Sequence, residues 1–129
     1  MSEQKFSVNL MKDAKFTKGV LRDYFEDREL GISEATGGKY MAVVHRACGP
    51  CPPGGSGNHT HTLDFQMNYI LKGWMRVLFA DEGKEITFEV GDSWIQPPEI
   101  QHDVLDFSPD LEVLEITSPA EFPTTEVPR

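Results

Sequence analysis

Positive charge is scarce in this 129-residue chain: twelve lysines and arginines stand against twenty-one aspartates and glutamates, a formal net charge of −9. Such a surface repels phosphate backbones and anionic headgroups, so nucleic acid and membrane surfaces are excluded as general partners. Cysteine is scarcer, with Cys48 and Cys51 alone, too few for a disulfide framework. The pair does form Cys48-Gly49-Pro50-Cys51, the spacing of a thioredoxin-like redox motif. That chemistry needs the first thiol at a helix N-terminus within a βαβ unit, and Pro52, Pro53, Gly54 and Gly55 follow here and forbid a helix. The two cysteines therefore read as thiols of a tight loop. No apolar run reaches the ~20 residues of a membrane span. Residues 1–13 show neither the apolar core nor the small-residue cleavage site of a secretory signal. A soluble, cytoplasmic protein is the expectation.

A hydrophobic fraction of 39% with 26% charged residues is that of a globular domain, and the length suits one domain with its own core. From residue 40 onward the sequence breaks into short β-rich runs at 40–46, 66–71, 74–80, 86–90, 93–96, 102–107 and 111–117. Turn residues separate them: Lys72-Gly73, Asp81-Glu82-Gly83, Gly91-Asp92 and Ser108-Pro109-Asp110. Regularly spaced short strands joined by tight turns predict an all-β sandwich or barrel, because closure removes exposed edges. Residues 1–23 are weakly patterned and read as an arm or short edge strand. The tail 123–129, which holds two prolines and two threonines, reads as a surface strap or frayed end. The loop 47–58, too long for a hairpin, leads directly into a histidine pair, as functional loops often do.

Three of the four histidines lie in two short segments, Asn58-His59-Thr60-His61 and Ile100-Gln101-His102. Alternate side chains of a strand share a face, so His59 and His61 present two imidazoles to the same side at a separation one cation can bridge. Gln66 opens the next run, and its amide oxygen is a neutral hard donor. His102 opens a later strand that barrel closure can bring across, which completes a set of three nitrogens and one oxygen. Such a set suits one divalent ion among Fe, Mn, Ni, Co and Zn.

With these residues quoted, the chain resembles the cupin superfamily. The first cupin motif places glycine, then His-x-His, then a glutamate three or four residues on, then a second glycine. Here His59-Thr60-His61, Gln66 and Gly73 keep that spacing, with Gln66 in place of the glutamate; position 53 is proline, and the glycines fall at 54, 55 and 57. The second motif is matched by Gly91, Pro97 and His102, while Glu99 replaces a glycine and Asp106 stands where asparagine is usual. Asp64 competes as an oxygen ligand but misses the motif spacing. The resemblance spans residues 40–122 and implies a single cupin-type antiparallel β-barrel, a jelly roll, over 24–122. It also implies a homodimer, with the arm at the interface.

A neutral ligand set leaves a bound divalent ion nearly its full charge, which suits an anionic substrate oxygen. The glutamine also removes a metal-bound general base. The resemblance therefore implies a metal-dependent enzyme on a small organic acid or an enolisable or aromatic compound, with a dioxygenase-type oxidoreductase as the leading class. A zinc-type lyase, isomerase or cyclase using the same site, or a non-catalytic ligand-binding cupin, are the alternatives. His45 and Tyr69 are candidates to manage protons, and Arg76, Asp106 and Trp94 to contact substrate. Arg46 lies on a strand where a guanidinium could likewise clamp a carboxylate.

Overall fold

A computed structural model of the chain describes residues 4–19 and 22–128. Its strands, in chain order, are β1 (Thr17–Lys18), β2 (Phe25–Glu29), β3 (Met41–Ala47), β4 (His59–His61), β5 (Phe65–Lys72), β6 (Trp74–Phe79), β7 (Lys84–Glu89), β8 (Ser93–Ile95), β9 (Asp103–Phe107), β10 (Glu112–Ser118) and β11 (Thr124–Glu126). One short helix, α1 (Ile32–Ala35), follows β2. No helix among the described residues is long and apolar enough to cross a membrane.

The strands form a six-stranded sheet in the order β1-β2-β3-β10-β5-β8, a three-stranded sheet β7-β6-β9 and the pair β11-β4. Every ladder is antiparallel. Alternation along each strand decides which face is buried. In β6, Met75, Val77 and Phe79 point inward, and in β5, Gln66, Asn68 and Ile70 do, with Phe65 and Tyr69 outside. The core joins the two larger sheets: Ile70 and Val113 from one pack with Met75, Val77, Phe79, Phe88 and Phe107 from the other, closed by Tyr24 and Leu111. Ile70 and Leu111 are fully buried, each contributing ~1.5–3 kcal/mol relative to exposure.

Between β5 and β6 the chain reverses at Gly73, whose φ of +73° favours glycine; a Cβ there would also strike the Ser108 hydroxyl and the Leu111 backbone. Strands β3 and β5 to β10 fall within two residues of the runs expected from sequence. The described part of the arm folds back on its own chain: β1 pairs with β2, and the Lys5 amide donates to the Ala35 carbonyl at 2.8 Å. The rest of that arm, residues 1–3, 20 and 21, lies outside the described residues, as does residue 129 of the tail. The tail is not frayed over Thr124–Glu126, which pairs with β4.

Candidate metal centre

Strand β4 carries His59 and His61 with one residue between them, and an isolated antiparallel bridge joins His59 to His102 through two backbone hydrogen bonds of 3.0 Å. That bridge brings the third imidazole beside the first two. Ring centroids lie 4.1 Å apart for His59 and His102 and 4.8 Å apart for the other two pairs. One nitrogen from each ring falls within 4.8 Å of the others, and the His61 and His102 Nε2 atoms are 3.1 Å apart. Two nitrogens on one cation at ~2.1 Å each would be separated by about that much.

Each ring is turned by what its Nδ1 meets. His59 Nδ1 donates to the Gly57 carbonyl at 2.7 Å and His102 Nδ1 to the Ile100 carbonyl at 3.1 Å, so in both Nε2 is an unprotonated lone pair. His61 Nδ1 meets the Thr124 hydroxyl at 2.9 Å, and Phe122 packs edge-on against its ring. Oxygen partners on the far ring nitrogen are the usual support of metal-ligating histidine. Burial, then the neighbouring imidazoles, push His61 down to about 4 and His102 down to about 3, and burial lowers His59 as well. All three are neutral at physiological pH, the form that binds metal. The group can hold a metal ion on geometry and charge, and in His59 and His102 the tautomer suits it as well.

Gln66 is buried in the wall of the cavity that the three histidines line, and its Nε2 donates to Glu115 Oε2 at 2.5 Å. A carboxylate only accepts, which fixes the amide and leaves Oε1 as its remaining ligand atom. Glu115 Oε1 in turn meets His45 Nε2 at 2.8 Å, and His45 Nδ1 meets Asp27 Oδ1 at 2.6 Å. Burial would lower the His45 imidazole, but its hydrogen bonds to Asp27 and Glu115 outweigh it and hold the ring well above its ordinary range. Burial would likewise raise Glu115, and the hydrogen bond from His45 overrides it and holds the carboxyl low. At neutral pH an imidazolium therefore sits between two carboxylates.

The histidines, Gln66, His45, Glu115 and Trp94 line one cavity of about 200 Å³, walled by Phe25, Met75, Val77, Val104 and Val113. Two further polar side chains face it that the sequence reading did not single out. Gln96 is buried, accepts from Trp94 Nε1 at 2.9 Å and thereby turns its Nε2 toward His102 Nε2, 3.5 Å away. Arg22 lies against His59, its guanidinium 3.5 Å from Nδ1. Gln96 carried a signal in its place at the end of a strand beside Pro97; Arg22, in an unpatterned arm, carried none.

Three expected site residues lie elsewhere. Tyr69 alternates with buried Asn68 and Ile70 and is 39% exposed on the outer face, so it does not reach the cavity. Arg76 alternates with the inward Met75 and Val77 and pairs with Glu85 at 3.3 Å. Asp106 stands opposite Arg76 in the β6–β9 ladder, on that same outer face. Arg46 pairs with Glu26 and covers the Phe16 ring, and Asp64 is exposed. Cys48 and Cys51 are both free, and burial raises the Cys51 thiol, the reverse of an activated nucleophile.

The fold is cupin-like: antiparallel sheets packed around a cavity lined by the three histidines. Solved structures share the fold. They include the polyketide cyclase RemF from Streptomyces resistomycificus, with a TM-score of 0.67 and 17% identity over 97% of this chain and 87% of that one. KdgF from a Halomonas species has a TM-score of 0.65 and 19% identity over 91% and 96%. An RmlC-like cupin from Shewanella frigidimarina has a TM-score of 0.64 and 18% identity over 92% and 96%. No protein-family model matches the chain, and no curated protein does.

Proposed function

We propose that the protein is a metal-dependent enzyme that enolises a small organic compound and moves its protons, in the manner of a cyclase, isomerase or lyase. The observation that carries this reading is the shared cavity: three neutral imidazoles on one side and the linked Glu115–His45–Asp27 chain on the other. A divalent ion, when bound, polarises a substrate carbonyl and stabilises the enolate formed from it. His59, His61 and His102 would hold that ion, with Gln66 Oε1 as the fourth protein donor. His45 keeps its proton between Glu115 and Asp27 as a fixed positive charge on the cavity wall that steadies a developing enolate, and Asp27, 40% exposed, links the chain to water. Gln96 Nε2 offers a hydrogen bond to a substrate oxygen beside His102, and the apolar wall limits water. A polyketide cyclase among the proteins of like fold agrees with this class of chemistry.

The dioxygenase expected from sequence is the second reading, favoured by the three-nitrogen set, which suits Fe(II) as well as Zn(II). The deciding experiment loads the protein with Zn(II) or Fe(II) and follows small 2-oxo acids and β-diketones in D₂O under argon by proton NMR. Loss of the protons next to the carbonyl with zinc and without oxygen supports the proposal. Turnover only with iron and dioxygen replaces it by the oxygenase. The homodimer is carried forward as a proposal too, supported by the exposed outer-sheet residues Tyr69, Leu71 and Ile95, and light scattering near the 14.5 kDa chain mass would overturn it.

A further inference from the structure

We infer that Arg22 is a carboxylate anchor in the metal cavity, and that the substrate is a small organic acid with a compact apolar body. The inference rests on the proposed function, since it places one end of the substrate at the histidine triad.

Arg22 differs from the other described arginines. Arg28 is spent on Asn9 and Met11, Arg46 on Glu26 and Arg76 on Glu85. Among the described residues no carboxylate pairs with Arg22, whose guanidinium lies 3.5 Å from His59 Nδ1. The remaining charges of the cavity wall, Asp27, His45 and Glu115, are tied to one another through His45 and leave a net charge of about −1, none of it paired with Arg22. A fixed guanidinium beside a group suited to a divalent cation raises the positive potential of the cavity and weakens cation binding, unless an anion completes it. A single planar fork matches a carboxylate bidentately, and its one positive charge balances the one negative charge of that group.

Cavity size narrows the class further. About 200 Å³ is below the ~300–1,000 Å³ of sites for drug-sized ligands, and Phe25, Met75, Val77, Val104 and Val113 give it apolar walls. A short acid with an oxygen adjacent to the carboxylate could reach Arg22 and the triad at once, its apolar body against those walls.

The test uses two probes of one shape, 2-hydroxybenzoate and its neutral analogue 2-hydroxybenzamide, titrated calorimetrically into Zn(II)-loaded protein. The wild type is expected to prefer the acid by about tenfold or more, the size of a lost charge-assisted hydrogen bond. Arg22→Gln is expected to lose that preference through weaker acid binding alone and to bind Zn(II) at least as tightly as the wild type, which an unfolded variant would not. Arg22→Lys should fall between them. An Arg22→Gln protein that keeps its preference for the acid, or a loaded wild type that binds neither probe, overturns the assignment. Equal acid binding with and without zinc, lost in Arg22→Gln, would instead sink the metal reading and leave the anchor standing.

Discussion

His102 Nε2 stands 3.1 Å from His61 Nε2, and the first of these nitrogens bears a lone pair because its ring has already donated from Nδ1 to the Ile100 carbonyl. Two lone pairs do not face each other at that distance without a positive charge between them, so His61 must bring either a proton or a shared cation. Thr124 decides which. Its hydroxyl, 2.9 Å from His61 Nδ1, can donate to that nitrogen or accept from it, and accepting frees Nε2 for a metal. Thr124→Val should therefore weaken Zn(II) affinity by about 10–100-fold with little change in the apo fold. Chelator competition reads the affinity. Metal should raise the melting temperature of the wild type and leave His102→Ala unchanged, and an equal rise in both would sink the site.

Gln66 and Glu115 form a donor–acceptor pair whose order matters. Gln66→Glu sets two buried carboxylates 2.5 Å apart where an amide met one, and should cost about 3 kcal/mol. Moving the amide to the other side, in Gln66→Glu with Glu115→Gln, restores the hydrogen bond and should recover most of that loss in urea unfolding. No recovery would mean that the pair is not coupled as the structure has it.

His45 sets an alkaline limb of stability. Its folded-state imidazole is raised by Asp27 and Glu115 to about 10, against an ordinary value of 6.5. A raised group stabilises the fold fully below pH 6.5, and its contribution declines as pH rises toward 10, because the unfolded chain has released a proton that the folded one still holds. Wild-type stability should fall across that window by up to ~1.4 kcal/mol per pH unit. His45→Gln should lack the limb and should gain stability on acidification, as Asp27 and Glu115 lose their mutual repulsion. Parallel pH profiles for the two proteins would contradict the buried imidazolium.

The sequence made most strands legible because period-two alternation and turn residues repeat from residue 40 onward. It showed the triad for the same reason: His59 and His61 sit at strand spacing beside a loop. What alternation cannot supply is the absolute face. Tyr69, Arg76 and Asp106 are site candidates by position in their strands, and each lies one residue out of phase with the cavity side of its strand. Other contributions come from pairings between distant segments. Strand β11 in the tail brings Thr124 to His61 across 63 residues of sequence, and Glu115 meets Gln66 across 49. Neither partner announces itself locally, and β1 and β2 are too polar to show alternation.

Trp94 orients the cavity at one remove. Its indole stacks on Phe88 at 3.7 Å between centroids and a 14° tilt, while Nε1 donates to Gln96 Oε1 and so turns the amide nitrogen toward the triad. Trp94→Phe keeps a stacking ring and deletes only the N–H, so the stability loss should be about 1 kcal/mol, the net value of one hydrogen bond. The functional change should be larger and one-sided. A freed Gln96 can present its oxygen to the cavity, which repels an anionic guest and leaves the cation ligands untouched. Zn(II) affinity should hold while 2-hydroxybenzoate binding weakens about tenfold. Loss of both together would show that the indole holds up the metal group itself; loss of neither would remove Gln96 from the site.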